Sequence, residues 1–438
     1  MRRICRNSIL SLALMAAWLC TVPLSAADTK PAKVGNSTKA QVAQIKNWVS
    51  QLNSDRFAER RAAYLRLVAL KSKAIPYLEV AAKSNKPELS DRAIRILQQM
   101  AEEDDDKVES AAIAALARVV IKSDRNIALR AAQALAQQQK FKKESSIATV
   151  RQLGGTVYLS SSARSKSIIV RIHERWDGGN RGLHLLRRFG GVTWLSLERS
   201  QIDGDGLKYV GQLSDLQKLY LGDSQLRDAS KLASLTSLQH LVYLSLRRLP
   251  IGDDALKHIG QLKSLESLGM DDTKITDNGL KHLRSLKKLR VLWLNRTAIT
   301  DQGVVELAQL PQLRRMYLAQ TKVAGPGLAA LKHAQYLNYL SLKNVRFQPG
   351  DLRYVGQLDN VETLGLDHTN VGDDDVRYLA GMKKLRVLWL SKTQVSDKGL
   401  LYLRPLVSLK QVYLHGAPVT KNGVAQLRKD LPECRIHY

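Results

Sequence analysis

Cysteine is scarce in this 438-residue chain, and two of the three cysteines, Cys5 and Cys20, fall in the first twenty residues. The third, Cys434, stands alone near the other end, so once the leader described below is removed no intrachain disulfide is possible. The fold must then rest on its apolar core. A second long apolar run is also missing after the first 27 residues, which gives the expectation of no transmembrane segment in the mature chain. No H-E-x-x-H, no G-x-S-x-G and no phosphate-cradling glycine loop occurs, and the nine histidines are scattered. These absences argue against an enzyme and give no reason to expect a cofactor or a metal. Acidic residues are few as well: 40 stand against 68 basic ones, and removing the three leader arginines leaves a net charge of +25. Such an excess favours anionic partners or surfaces.

What the chain does contain is a repeat. Leu289 to Leu307 reads LRVLWLNRTAITDQGVVEL, and Leu385 to Leu403 reads LRVLWLSKTQVSDKGLLYL. Taking the first residue of each L-x-L core as a marker gives Leu195, Leu219, Leu244, Leu268, Leu292, Met316, Leu340, Leu364, Leu388 and Val412. Eight of the nine intervals are 24 residues and one is 25. This spacing resembles a leucine-rich repeat protein, and the T-x-I-x-D-x-G-L half resembles the repeats of F-box-type and related exported bacterial proteins. L-x-L has period two and reads as a short strand, whereas Leu280, Leu283 and Leu286 have helical spacing. One unit cannot bury its own apolar side, but stacked units can. The expected fold class is therefore an α/β solenoid, a leucine-rich repeat horseshoe with a parallel concave sheet and convex helices, plus an N-terminal all-α domain. A longer period of 96 residues also shows: YLSLRR at Tyr243 returns as YLSLKN at Tyr339, and KKLRVLWL at Lys287 returns at Lys383.

In chain order, residues 1–27 read as a secretory signal peptide, with Arg2, Arg3 and Arg6 before an apolar core from Ile9 to Cys20 and a Ser25-Ala26-Ala27 cleavage site. A lipoprotein leader is the rival reading, against which Trp18 and Leu19 precede Cys20. The expected localisation is exported, periplasmic or secreted. Residues 28–38 read as a flexible polar segment. Residues 39–148 carry helical spacing in segments such as ELSDRAIRILQQMA, and the region resembles HEAT or armadillo-type helical pairs, with a plain helical bundle as the alternative. Residues 149–191 read as a junction and an atypical capping repeat, and residues 192–438 as the solenoid with its C-terminal cap. Leu427, Leu431, Pro432, Cys434 and Ile436 are expected to close the last apolar layer, with Cys434 as a buried core residue.

Nine residues after the marker an aspartate recurs, as Asp228, Asp253, Asp277, Asp301, Asp373 and Asp397. Each precedes a short helical segment, so the expected role is a structural helix cap rather than a calcium row. Gly204, Gly325, Pro349 and Lys421 stand there in the other units. The glycine two residues on, as in Gly279, Gly303 and Gly399, permits a tight turn or close packing.

Strand positions beside the marker point out of the concave sheet. They carry Trp194, Tyr220, Tyr243, Trp293, Arg315, Tyr317, Tyr339, Trp389 and Tyr413, with Arg247, Arg296, Lys343 and Lys392 on the rim. These thirteen are the candidate binding residues. Trp293 with Tyr317 and Trp389 with Tyr413 read as two aromatic patches separated by a low region at Ser341 and Gly365. Contact with a partner and simple packing of rings on the sheet both remain open. The favoured partner is a protein or peptide. The alternative is an acidic glycan or anionic envelope surface held by basic patches such as Lys281, Arg284, Lys287, Lys288 and Arg290. Export argues against nucleic acid.

Overall fold

A computed structural model of the chain describes residues 39–103, 105–162 and 165–438. The expected signal peptide and the flexible segment after it lie outside the described residues. Among those described, no helix is long and apolar enough to cross a membrane. Two compact units divide the chain, the first ending at Ser146 and the second spanning Ile147–Tyr438.

The N-terminal region is helical throughout. Its long helices are α1 (Lys39–Gln51), α2 (Phe57–Ala69), α3 (Ile75–Ala82), α4 (Pro87–Glu102), α5 (Asp106–Lys122) and α6 (Arg125–Gln152). Apolar spacing of three and four sets one buried face on each, seen in α4 where Ala93, Ile94, Ile96, Leu97, Met100 and Ala101 all point inward. Asp105 caps α5 through the Lys107 and Val108 N–H groups, and Asp124 does the same for α6 through Asn126 and Ile127. Glu79 and Lys142 are buried charges of this unit. Burial raises the Glu79 pKa, but bonds from Arg118 at 2.9 Å and Lys83 at 2.6 Å outweigh that and leave the carboxyl below its ordinary value.

The second unit is a single sheet of thirteen strands in sequence order. A hairpin of β1 (Thr156–Ser162) and β2 (Ser165–Arg171) opens it, and β2 runs parallel to β3 (Val192–Ser196). The rest follow one per repeat, each three residues long: β4 (Lys218–Tyr220), β5 (Tyr243–Ser245), β6 (Ser267–Gly269), β7 (Val291–Trp293), β8 (Arg315–Tyr317), β9 (Tyr339–Ser341), β10 (Thr363–Gly365), β11 (Val387–Trp389), β12 (Gln411–Tyr413) and β13 (Arg435–His437). Every pairing from β2 onward is parallel, and the markers stay in register, as in Leu268↔Leu292 and Leu364↔Leu388. Each of the ten markers is fully buried. Short α or 3₁₀ turns follow the strands, and their leucines complete one continuous core.

Two strands go beyond the ten L-x-L cores. Val170 lies 25 residues before the first marker and Ile436 lies 24 after the last, and both are buried. They carry β-branched residues where leucine was the signal. Leu427, Leu431, Cys434 and Ile436 are buried at the C-terminal end, whereas Pro432 is exposed; it turns with the loop into β13 instead of joining the layer. Burial pushes the Cys434 thiol up to about 11.

Two further rows explain the repeat's spelling. The threonine five residues after the marker is buried and bonds back to a carbonyl three residues earlier, as in Thr297 to Leu294 at 2.6 Å and Thr393 to Leu390 at 2.7 Å. The residue before it turns left-handed in every unit, from Arg199 (φ 56°) through Arg296 (φ 55°) to Lys392 (φ 52°). That conformation is strained for a residue with a Cβ. In return its N–H meets the next unit's carbonyl, as Arg296 meets Ala319 at 2.8 Å.

Candidate functional site: the concave aromatic ribbon

The eight aromatic candidates come together in one line. Ring centroids run from Trp194 to Tyr220 at 5.7 Å, to Tyr243 at 4.7 Å, to Trp293 at 6.1 Å, to Tyr317 at 5.5 Å, to Tyr339 at 4.7 Å, to Trp389 at 6.0 Å and to Tyr413 at 5.9 Å. All eight side chains are half-buried. The expected gap at Ser341 and Gly365 is closed. Tyr339 stands on β9 and Trp389 on β11, and their rings meet above the glycine strand between them. A Cβ on Gly365 would already lie 3.6 Å from the Trp389 ring. Glycine there makes room for the indole to lie across the floor, and Gly269 occupies the same place between Tyr243 and Trp293. The two patches of the sequence reading are thus one ribbon.

Three residues outside the candidate set extend it. His437 stacks on Tyr413 at 4.5 Å and 7°. Arg171 lies over Trp194 at 5.4 Å and over Tyr158 at 5.5 Å, carrying the line onto the first hairpin. His437 was legible as the residue 24 after Tyr413, and Arg171 as the one 25 before Ser196, once the two flanking strands are counted.

Ring orientation decides what the ribbon offers. Trp293–Tyr317, Trp389–Tyr413 and Tyr413–His437 are stacked at 17°, 21° and 7°. In these pairs neighbouring rings lie nearly parallel along the row, and the Tyr413 hydroxyl donates to Gln411 Oε1 at 2.8 Å. Edges carry the positive side of the aromatic quadrupole, and the tips are O–H and N–H donors. Burial, with a neighbouring tyrosine as the next cause, pushes Tyr243 and Tyr339 up to about 12, so both stay neutral donors at ordinary pH.

The rim candidates Arg247, Arg296, Lys343 and Lys392 are exposed, and Arg315 is exposed on β8. Charge is not spread evenly among them. Arg248 pairs with Asp223 at 3.3 Å and with Asp272 at 3.7 Å, and Asp272 also takes Arg296. The bond from Arg296 holds the Asp272 carboxyl below its ordinary value. Asp271 is different: burial raises it, although it accepts the Asn295 N–H at 2.9 Å. Among the described residues Arg247, Lys343 and Lys392 enter no ion pair.

The aspartate row needs correction. Asp277 takes the Thr300 N–H at 2.9 Å and its hydroxyl at 2.5 Å, in the next unit. Asp253 does the same to Thr276, Asp373 to Ser396 and Asp397 to Thr420, while Asp301 takes the Ala324 N–H. These five are clips between units and do not cap their own helices. The caps are the residues they clip: Thr276, Thr300, Ser396 and Thr420 accept from their own first turns. The reason is position. The aspartate is already at or inside the helix start, where its side chain points sideways to the neighbouring unit. Asp228 alone accepts from its own turn, through Ser230 at 2.9 Å. The glycines follow from the clips: a Cβ on Gly303 would lie 2.2 Å from Asp277 Oδ1, and one on Gly399 2.4 Å from Asp373 Oδ1. Where Gly325 replaces the aspartate, Asp351 reaches back from the following unit to the Gly325 N–H at 3.2 Å.

With this geometry in hand the class is plain. The chain belongs to the leucine-rich repeat family; residues 194–415 match its leucine-rich repeat region. Leucine-rich repeat proteins generally act by binding other proteins. Similar solved structures include an internalin from Listeria monocytogenes (21% identity, TM-score 0.47, covering 58% of this chain and 69% of that one). A TDR receptor (16%, TM-score 0.42, 58% and 44%) and a leucine-rich repeat protein of Leptospira interrogans (20%, TM-score 0.35, 58% and 80%) are similar over the same share of this chain. No curated protein matches the chain.

Proposed function

We propose that the chain is a non-enzymatic, extracytoplasmic binding module that recognises a protein or peptide through the concave ribbon. The leader-like first 27 residues support the location. The observation that carries the recognition surface is the continuous row of eight half-buried aromatic rings beside exposed basic rim residues. Such a surface suits the carbonyls and carboxylates of a polypeptide. The helical residues 39–148 act as a separate module in this reading, of HEAT-like character, and the repeats are of the exported F-box-like type.

The second reading is an acidic glycan or anionic envelope surface on the basic helix side. There Lys281, Lys287 and Lys288 are exposed, but Arg284 is held by Glu306 at 2.7 Å and Arg290 by Glu266 at 3.1 Å. Pairing lowers the free charge of that patch.

The test is a pull-down from solubilised envelope and culture medium with the mature chain at low and moderate salt, beside a Trp293→Ala/Trp389→Ala double variant. A protein held by the wild type at moderate salt and lost by the folded variant is the expected result. Glycan or lipid held only at low salt, equally by both forms, would move the function to the helix side.

A further inference from the structure

Residues 243–338 and 339–434 are two copies of one four-unit block, and comparing them shows how far the concave face repeats. After each marker, Ser245, Gly269, Trp293 and Tyr317 return unchanged as Ser341, Gly365, Trp389 and Tyr413. Before each marker, Tyr243 and Val291 return unchanged, Ser267 becomes Thr363 and Arg315 becomes Gln411. On the helix side the copies have drifted: His258, His282 and Glu306 are replaced by Tyr354, Tyr378 and Tyr402. Two of the left-handed turns drifted too, Arg248 to Asn344 and Asp272 to His368.

The geometry repeats with the residues. Tyr243–Trp293 lies at 6.1 Å and 59°, and Tyr339–Trp389 at 6.0 Å and 57°. Trp293–Tyr317 and Trp389–Tyr413 are both stacked, at 17° and 21°. Each copy keeps an unpaired basic residue at the same rim position, Arg247 and Lys343. Each also keeps an aspartate engaged by the next unit's backbone, Asp271 by Asn295 and Asp367 by Ser391, both at 2.9 Å. Lys287, Lys288 and Arg290 on the helix side also return, as Lys383, Lys384 and Arg386, so the outward concave row is one of several features the two copies share.

We infer that the concave face is one recognition element present twice, and that its partner is a single extended acidic polypeptide segment that engages both copies. This rests on reading the ribbon as a peptide-binding surface. The copies are four strands apart, ~19 Å at the usual strand spacing. An extended segment covers that distance in about six residues. Carboxylates fit the exposed Arg247 and Lys343, neither of which enters an ion pair among the described residues.

Oligoglutamate peptides of 4 and 14 residues, titrated into the mature chain by calorimetry at moderate salt, test this. A 4-residue peptide reaches ~13 Å and cannot bridge; a 14-residue one can. The expected result is two short peptides per chain, one long peptide per chain, and a long-peptide affinity at least about tenfold higher. Arg247→Glu and Lys343→Glu are each expected to remove one short-peptide site and the long-peptide advantage. Both side chains are exposed, so the fold should be unaffected, and thermal melting checks that. One short peptide per chain, lost in the Trp293→Ala/Trp389→Ala variant, overturns the twofold element alone. Binding indifferent to the rim and tryptophan variants overturns the concave reading as well, and no binding of either peptide overturns the acidic segment.

Discussion

Asp277 holds Thr300 by both its backbone N–H and its hydroxyl, so one carboxylate fastens the cap of the next unit. Hydrogen bonds to a charged acceptor contribute about 1.5–3 kcal/mol each at most, and the net in a half-buried site is smaller. Asp277→Ala is therefore expected to lower stability by about 1–3 kcal/mol in urea unfolding. Combined with Thr300→Val, the losses should fall short of additive by about 1 kcal/mol. Full additivity would show that the clip carries no coupling.

Gly303 leaves room for that clip and for the Ile299 and Leu280 side chains. Gly303→Ala would drive a methyl into Asp277 Oδ1 and is expected to cost about 1–3 kcal/mol. In an Asp277→Ala background the same change should cost less, because the nearest obstruction is gone while Ile299 and Leu280, each 2.9 Å from the added Cβ, remain. An equal cost in both backgrounds, read from paired melts, would put the glycine requirement elsewhere.

Tyr243 and Tyr339 titrate near 12 in the folded chain against an ordinary value of 10. A folded-state value above the unfolded one means stability that is fully present below pH ~10 and is lost as pH rises toward ~12. The chain should thus weaken in that alkaline window. Tyr243→Phe/Tyr339→Phe should lose less stability over the same interval, and absorbance at 295 nm should show two fewer late-titrating phenols.

Gly365 sits beneath the Tyr339–Trp389 contact. Gly365→Leu is expected to lift the Trp389 indole off the floor, shifting its fluorescence to the red, with Trp293 untouched. Recording emission in single-tryptophan backgrounds distinguishes the two. An unchanged Trp389 spectrum would mean the indole does not lie across that glycine.

Much of this was readable in the repeat. Its 24-residue period places the strands, and the alternation about each marker assigns Trp293 and Tyr317 to one face. The reading erred where two units meet. Asp277 before a helix looks like a cap because sequence shows only its own turn, while the Thr300 it binds is 23 residues away and reached by stacking. Gly365 looked like a gap for the same reason: the rings that cover it come from strands on either side.

By itself, then, the sequence determined the period, the buried markers and the outward face, since these depend on alternation and on apolar burial within a unit. Tertiary structure alone decided the clips, the closed ribbon and the stacking of its rings. Those depend on distances between units about 4.8 Å apart, which no single unit encodes.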